Sequence, residues 1–126
     1  MKFLKCALCG NVIEVVEDKG GPLMCCGQPM NELKANTTDG ALEKHVPAAQ
    51  IIDGNLHVQV GSVEHPMLPE HYITFVAVEA GDTIYRKALK PGEKPEATFA
   101  LNGYKGKVVV YELCNIHGLW KTELEA

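Results

Sequence analysis

In the second half of the chain, apolar and polar positions alternate in short runs separated by turn residues. Leu56, Val58 and Val60 alternate with His57 and Gln59, the period-2 pattern of a half-buried strand. Val108, Val109, Val110 and Tyr111 form a continuous apolar run that suits a central strand. Strands are expected at 45–52, 55–61, 71–79, 83–89, 95–101, 107–113 and, last and shortest, near 119–124. Asp53-Gly54, Pro66 to Pro69, Gly81-Asp82, Lys90-Pro91-Gly92 and Asn102-Gly103 break these runs with turn chemistry. No stretch keeps apolar residues on a helical period for three turns. Seven short strands in about 90 residues predict a β-sandwich of immunoglobulin-like architecture.

The N-terminal region reads differently. Asn11 to Asp18 carries Val12, Ile13, Val15 and Val16, and Lys19-Gly20-Gly21-Pro22 then ends the run. So short a segment cannot build a core and needs a metal or a disulfide to fold. The chain is therefore expected to be all-β, with a small metal-stapled domain over 1–35 and the sandwich over 36–126.

Composition narrows the classes. Of 126 residues, 46% are hydrophobic and 22% charged, near the globular average. The net charge of −4, with no Lys/Arg run, argues against a nucleic-acid surface. No apolar segment approaches the length of a membrane span. Met1-Lys2-Phe3-Leu4-Lys5 leaves no room for a signal core before the first cysteine, so the cytoplasm is expected. There thiols stay reduced, and clustered cysteines read as metal ligands rather than disulfides.

The five cysteines and most of the five histidines fall into two sets. In the first, Cys6-Ala7-Leu8-Cys9 places two sulfurs on one tight turn, and the adjacent pair Cys25-Cys26 completes four thiolates. Neighbouring residues cannot easily aim both sulfurs along tetrahedral directions, so a distorted site is expected, with Gly27 relieving backbone strain. Spacing alone leaves iron and zinc equally open. In the second set, Cys114-Asn115-Ile116-His117 is a chelating pair on a turn. His65 and His71 bracket the Pro66 to Pro69 loop, the latter at the start of a strand, and His45 opens another strand. His57 alternates with Leu56 and Val58, should face solvent, and is left out. Four imidazoles and one thiolate would oversaturate tetrahedral zinc. Five ligands leave one position of an octahedral metal open, which suits iron and a small substrate.

With these motifs in hand, the chain resembles the desulfoferrodoxins, the two-iron class of superoxide reductase, over essentially its full length. The matching stretches begin with Cys6-x-x-Cys9-Gly10-Asn11, Cys25-Cys26-Gly27-Gln28-Pro29-Met30 and Asp39-Gly40-Ala41-Leu42-Glu43-Lys44-His45-Val46-Pro47. They continue with Gly61-Ser62-Val63-Glu64-His65-Pro66-Met67, His71-Tyr72-Ile73, Leu89-Lys90-Pro91-Gly92 and Cys114-Asn115-Ile116-His117-Gly118-Leu119-Trp120. The resemblance implies two non-haem irons per chain, with neither haem nor nucleotide. Cys6, Cys9, Cys25 and Cys26 would hold a rubredoxin-like iron in a desulforedoxin-like domain. His45, His65, His71 and His117 would surround a second iron, with Cys114 as the axial thiolate. That iron would reduce superoxide to hydrogen peroxide, drawing electrons from a rubredoxin-type donor within a homodimer. Glu43 would occupy the sixth position of the ferric iron and leave on reduction, and Lys44 would attract superoxide over the open face. Two other readings compete: a non-catalytic electron carrier or metal-binding module, and a dismutase that needs no reductant.

Overall fold

The structure, a computed structural model, describes residues 1–126. The chain divides into two compact units, Met1–Lys34 and Ala35–Ala126.

The first unit is built from very short strands: β1 (Phe3–Lys5), β2 (Val12–Glu14), β3 (Met24–Cys25), β4 (Gln28–Pro29) and β5 (Asn31–Leu33). β1 lies between β2 and β5, antiparallel to both, and β3 pairs with β4 as a separate hairpin. Only Phe3, Leu4 and Cys6 are buried apolar residues here, too few to hold the unit by hydrophobic burial. Of these elements the sequence signals only β2. Strands of two or three residues are too short for alternation to register.

The second unit opens with the single-turn helix α1 (Leu42–His45), followed by seven strands. These are β6 (Pro47–Ile52), β7 (Asn55–Val60), β8 (Ile73–Ala80), β9 (Thr83–Ala88), β10 (Glu96–Ala100), β11 (Lys107–Cys114) and β12 (Gly118–Glu125). One sheet has the order β10-β7-β6 and the other β12-β11-β8-β9, with every neighbouring pair antiparallel. This is the expected seven-stranded sandwich. Its core stripe runs through Leu56, Val58 and Val60 of β7, Val76, Val78 and Ala80 of β8, and Val108 and Val110 of β11. Cys114 ends the same β11 stripe, so the sulfur is delivered by the packing of the central strand. The β6–β7 hairpin closes through Asp53 (φ 52°) and Gly54 (φ 78°), a two-residue turn whose two positive φ values match strand twist.

Three local expectations differ from the fold. The last strand, expected to be short, runs eight residues as β12 and matches β8 and β11 in length, because it pairs with β11 from Gly118 to Glu125. His45 ends α1 instead of opening a strand, because Lys44 and His45 donate to the Ala41 carbonyl and Val46 donates to that of Leu42. Pro47 then pushes Val46 into extended backbone and starts β6. His71 stands two residues before β8, in an isolated bridge to Leu68 that closes the proline loop.

Candidate metal centres

In the first unit, the turn Cys6 to Gly10 folds so that Gly10 donates to the Cys6 carbonyl. The backbone N–H groups of Cys9 and Asn11 point at the sulfurs of Cys6 and Cys9, each at 3.5 Å. The β3–β4 hairpin brings up the other pair. Cys25 ends β3, while Cys26 (φ 54°) and Gly27 (φ 74°) are the two central residues of the turn, since Cys25 pairs with Gln28. Cys26 thus sits in left-handed backbone that costs a non-glycine residue about 1–3 kcal/mol. The adjacent pair is possible because one sulfur comes from a strand end and the other from its turn. Cys9 and Cys25 sulfurs are 3.5 Å apart, Cys25 and Cys26 3.9 Å, and all four lie within 4.8 Å of one another.

The thiols respond to that crowding. The Cys9 backbone N–H draws the Cys6 thiol down to about 6, whereas the neighbouring Cys9 thiol pushes Cys25 up to about 12 and Cys26 also upward. With no cation among them, four thiolates would repel at these separations. A bound metal ion removes the conflict, so the donor set fits one.

In the second unit, five side chains from four segments converge: His45 from α1, His65 and His71 from the two ends of the proline loop, and Cys114 and His117 from the β11–β12 turn. Consecutive rings are neighbours around a square, with centroids 4.7 Å apart for His45–His65, 4.7 Å for His65–His71, 5.0 Å for His71–His117 and 4.7 Å for His45–His117. The diagonal His45–His71 measures 6.4 Å with nearly parallel rings at 27°, while neighbours cross at 69° to 85°. Donor atoms of His45, His65, His71 and Cys114 all lie within 4.8 Å of one another. His117 Nδ1 is 3.0 Å from His45 Nε2 and 3.8 Å from Cys114 Sγ. His57 stays apart, on the outer face of β7 beside the Thr98 hydroxyl at 3.2 Å.

Hydrogen bonds aim the lone pairs inward. His45 Nδ1 donates to the Ala41 carbonyl and His65 Nδ1 to that of Pro66, each at 2.7 Å. Both Nε2 atoms are therefore bare, yet they face each other at 3.2 Å, a repulsion of lone pairs that a cation between them would relieve. His71 Nε2 is buried with no hydrogen-bond partner. Burial holds His65 down to about 4 and also lowers His45 and His71, so the rings are neutral and able to bind metal near neutral pH. Burial pushes the Cys114 thiol up, countered by the backbone N–H groups of His117 and Ile116. This set also fits a metal ion.

Glu43 and Lys44 lie exposed on α1, close enough that the Glu43 carboxylate acts on His45 and the Lys44 ammonium on His71. Gly61 makes room for them: a Cβ there would meet the Glu43 carbonyl oxygen at 2.6 Å and the Lys44 carbonyl carbon at 2.8 Å.

Sequence reasoning overlooked two supports and one buried carboxyl. The Asn115 side chain accepts from Tyr72 N–H at 2.9 Å and donates to the Glu70 carbonyl at 3.0 Å, tying the His71 segment to the Cys114 turn. Trp120 donates from Nε1 to the His117 carbonyl at 3.0 Å. Glu112 is fully buried two residues before Cys114, and with neither oxygen partnered its carboxyl is pushed up to about 9 by burial. A charged residue at an inward position of the β11 stripe was the one signal available in advance.

The comparisons with known proteins agree with this geometry. Residues 1–33 match the desulfoferrodoxin N-terminal domain model, and residues 37–123 match the main desulfoferrodoxin model. The desulfoferrodoxin of Syntrophotalea carbinolica is 47% identical over 123 residues, covering 98% of this chain and 96% of the relative. That of Nitratidesulfovibrio vulgaris is 48% identical over 122 residues, covering 97% and 95%. The crystal structure of the superoxide reductase from Treponema pallidum superposes with a TM-score of 0.73 at 32% identity, covering 94% of this chain and 98% of that one. With both of its units matched, the chain belongs to the desulfoferrodoxin family.

Proposed function

We propose that this protein is a superoxide reductase, adding one electron and two protons to superoxide to give hydrogen peroxide at the second donor set. One observation carries the reading: four imidazoles at the corners of a square, with the Cys114 thiol as a fifth donor. A six-coordinate ion held by those five side chains would keep one position for a small ligand, whereas a pure electron carrier would close it. The Treponema pallidum protein, similar in fold, is itself named a superoxide reductase.

His45, His65, His71, His117 and Cys114 would hold the iron, which would supply the electron for the substrate. Cys114 donates electron density as a thiolate, in the manner of thiolate ligands to haem. His45 and His65 keep their Nε2 lone pairs inward because their Nδ1 protons are committed to backbone carbonyls. Lys44 attracts the anionic substrate and helps organise protons for the product. Glu43, exposed on α1 beside His45, would offer a carboxylate to the position left for the substrate. Cys6, Cys9, Cys25 and Cys26 hold an auxiliary iron that passes electrons. The supply comes from a rubredoxin-type donor, and the protein works as a cytoplasmic homodimer that detoxifies superoxide.

The test is the product balance. Reduced protein mixed with superoxide should consume one superoxide per second-set iron oxidised, giving peroxide and no dioxygen, and turnover should need a reductant. Steady dioxygen release without a reductant would move the reading to a dismutase. No consumption of superoxide would leave an electron carrier.

A further inference from the structure

Trp120 is 1% exposed and is among the largest fully buried side chains in the chain. Filling space is the ordinary role of such a residue. Its location argues for more than that. Trp120 is not part of the cluster packed between the two sheets, which holds Phe99, Leu101, the valines of β7 and β8, and Val108 and Val110 of β11. It lies instead near the metal-set end of β12, two residues beyond Gly118, whose strand partner is Cys114.

There it touches two adjacent corners of the square. Its ring lies 5.0 Å from that of His45, tilted by 30°, and its Nε1 donates to the His117 carbonyl at 3.0 Å. His45 and His117 come from elements 72 residues apart, and their rings stand at 84° with Nε2 and Nδ1 3.0 Å apart. Rotation of an imidazole about its Cβ–Cγ bond is soft, so a ring packed on one edge alone would sample a broad range of planes. The indole covers the face of one ring and fixes the backbone that carries the other.

The chain is built to hold the indole in place. Asn36 grips β12 on both sides of it: its backbone N–H donates to the Leu119 carbonyl at 3.0 Å, and its side chain bonds the backbone of Lys121 in both directions, at 2.9 and 3.3 Å. Four residues later Gly40 closes over the stack, where a Cβ would meet His45 Cε1 and Trp120 Cζ2, each at 3.2 Å.

The geometry points to Trp120 as a positioning residue that sets the crossed planes of His45 and His117 and thereby the shape of one corner of the metal site. This rests on the reading of the second donor set as an iron centre. Removing an outer partner of a metal ligand typically lowers metal affinity by about 10- to 100-fold.

Trp120→Phe keeps a ring on His45 but loses the N–H bond, and Trp120→Leu loses both. Iron-loaded full-length variants are compared by ferric electron paramagnetic resonance and by the rate at which ferrous iron passes to a chelator. Trp120→Phe should release iron about 10-fold faster and Trp120→Leu up to about 100-fold faster, each with an altered ferric spectrum. In the wild type, Trp120 is the only tryptophan, so loading the second set should quench the protein's indole emission. Phe99→Leu, in the core between the sheets, should lower the unfolding temperature while leaving the ferric spectrum and the release rate at wild-type values. If Trp120→Leu fails to fold, Trp120→Phe decides alone. Wild-type release and an unchanged ferric spectrum in Trp120→Phe would reduce Trp120 to a space-filler and overturn the proposal. A wild-type second set that takes up no iron would sink the iron reading along with it.

Discussion

The two donor sets are assembled in opposite ways. The four cysteines lie within 21 residues of chain, on two tight turns, and the unit around them buries only a few apolar side chains. The second set spans residues 45 to 117 and hangs on a sandwich whose core stripe runs straight into Cys114. In the first unit the metal has to make the fold. In the second the fold makes the site, with backbone carbonyls, Asn115 and Trp120 already aiming the donors. A local site can be written into a short motif; a long-range one needs a scaffold.

The sharpest way to break this contrast is Cys114→Ser. Oxygen donates less charge than sulfur, so the thiolate-to-iron absorption and most superoxide-reducing activity should be lost while the sandwich stays folded. Retention of both would mean that the β11 stripe does not deliver a ligand. Cys9→Ser should abolish the all-thiolate iron spectrum and raise hydrogen exchange throughout residues 1–34, yet leave superoxide consumption by chemically reduced protein intact. Loss of catalysis in a folded Cys9→Ser protein would show that the two centres do not divide the work. Gly61→Ala tests the scaffold without touching a donor. Its Cβ must push the α1 backbone away, and a displacement near 1 Å can cost about 100-fold in rate. Unchanged kinetics would mean that α1 is not held where the structure has it.

Lys44→Ala should slow the reaction with superoxide by roughly 10-fold and flatten its dependence on ionic strength. A salt profile identical to that of the wild type would make Lys44 an ordinary surface charge. The smallest effect belongs to His57→Ala, which removes a half-exposed ring bonded to Thr98 and should alter neither iron content nor rate. Iron loss there would mean that the wrong histidines were grouped.

Strand positions in the second unit were legible because the sandwich buries one face of each strand and alternation records it. The same alternation put His57 on the outer face, where it is found beside Thr98. α1 was not legible, because a single turn has no period to read, and its ends are set by the Ala41 carbonyl and by Pro47. The strands of the first unit were equally silent, since pairs such as Met24-Cys25 and Gln28-Pro29 carry no pattern. The donor types were legible from motif spacing, but not what holds them. Asn115 meets Tyr72 across 43 residues and Trp120 lies against His45 across 75, and no local rule links such positions.

The turn at Cys26-Gly27 carries a consequence for chain length. A two-residue turn fixes which residue of β4 faces which residue of β3, and successive residues of a strand point to opposite sides of the ribbon. One residue inserted between Cys25 and Cys26 would turn one sulfur away from the other three. One removed would leave the ribbon no turn at all. Insertions and deletions should therefore be tolerated in the neighbouring Lys19-Gly20-Gly21-Pro22 stretch and rejected between Cys25 and Gln28, even when every cysteine is kept.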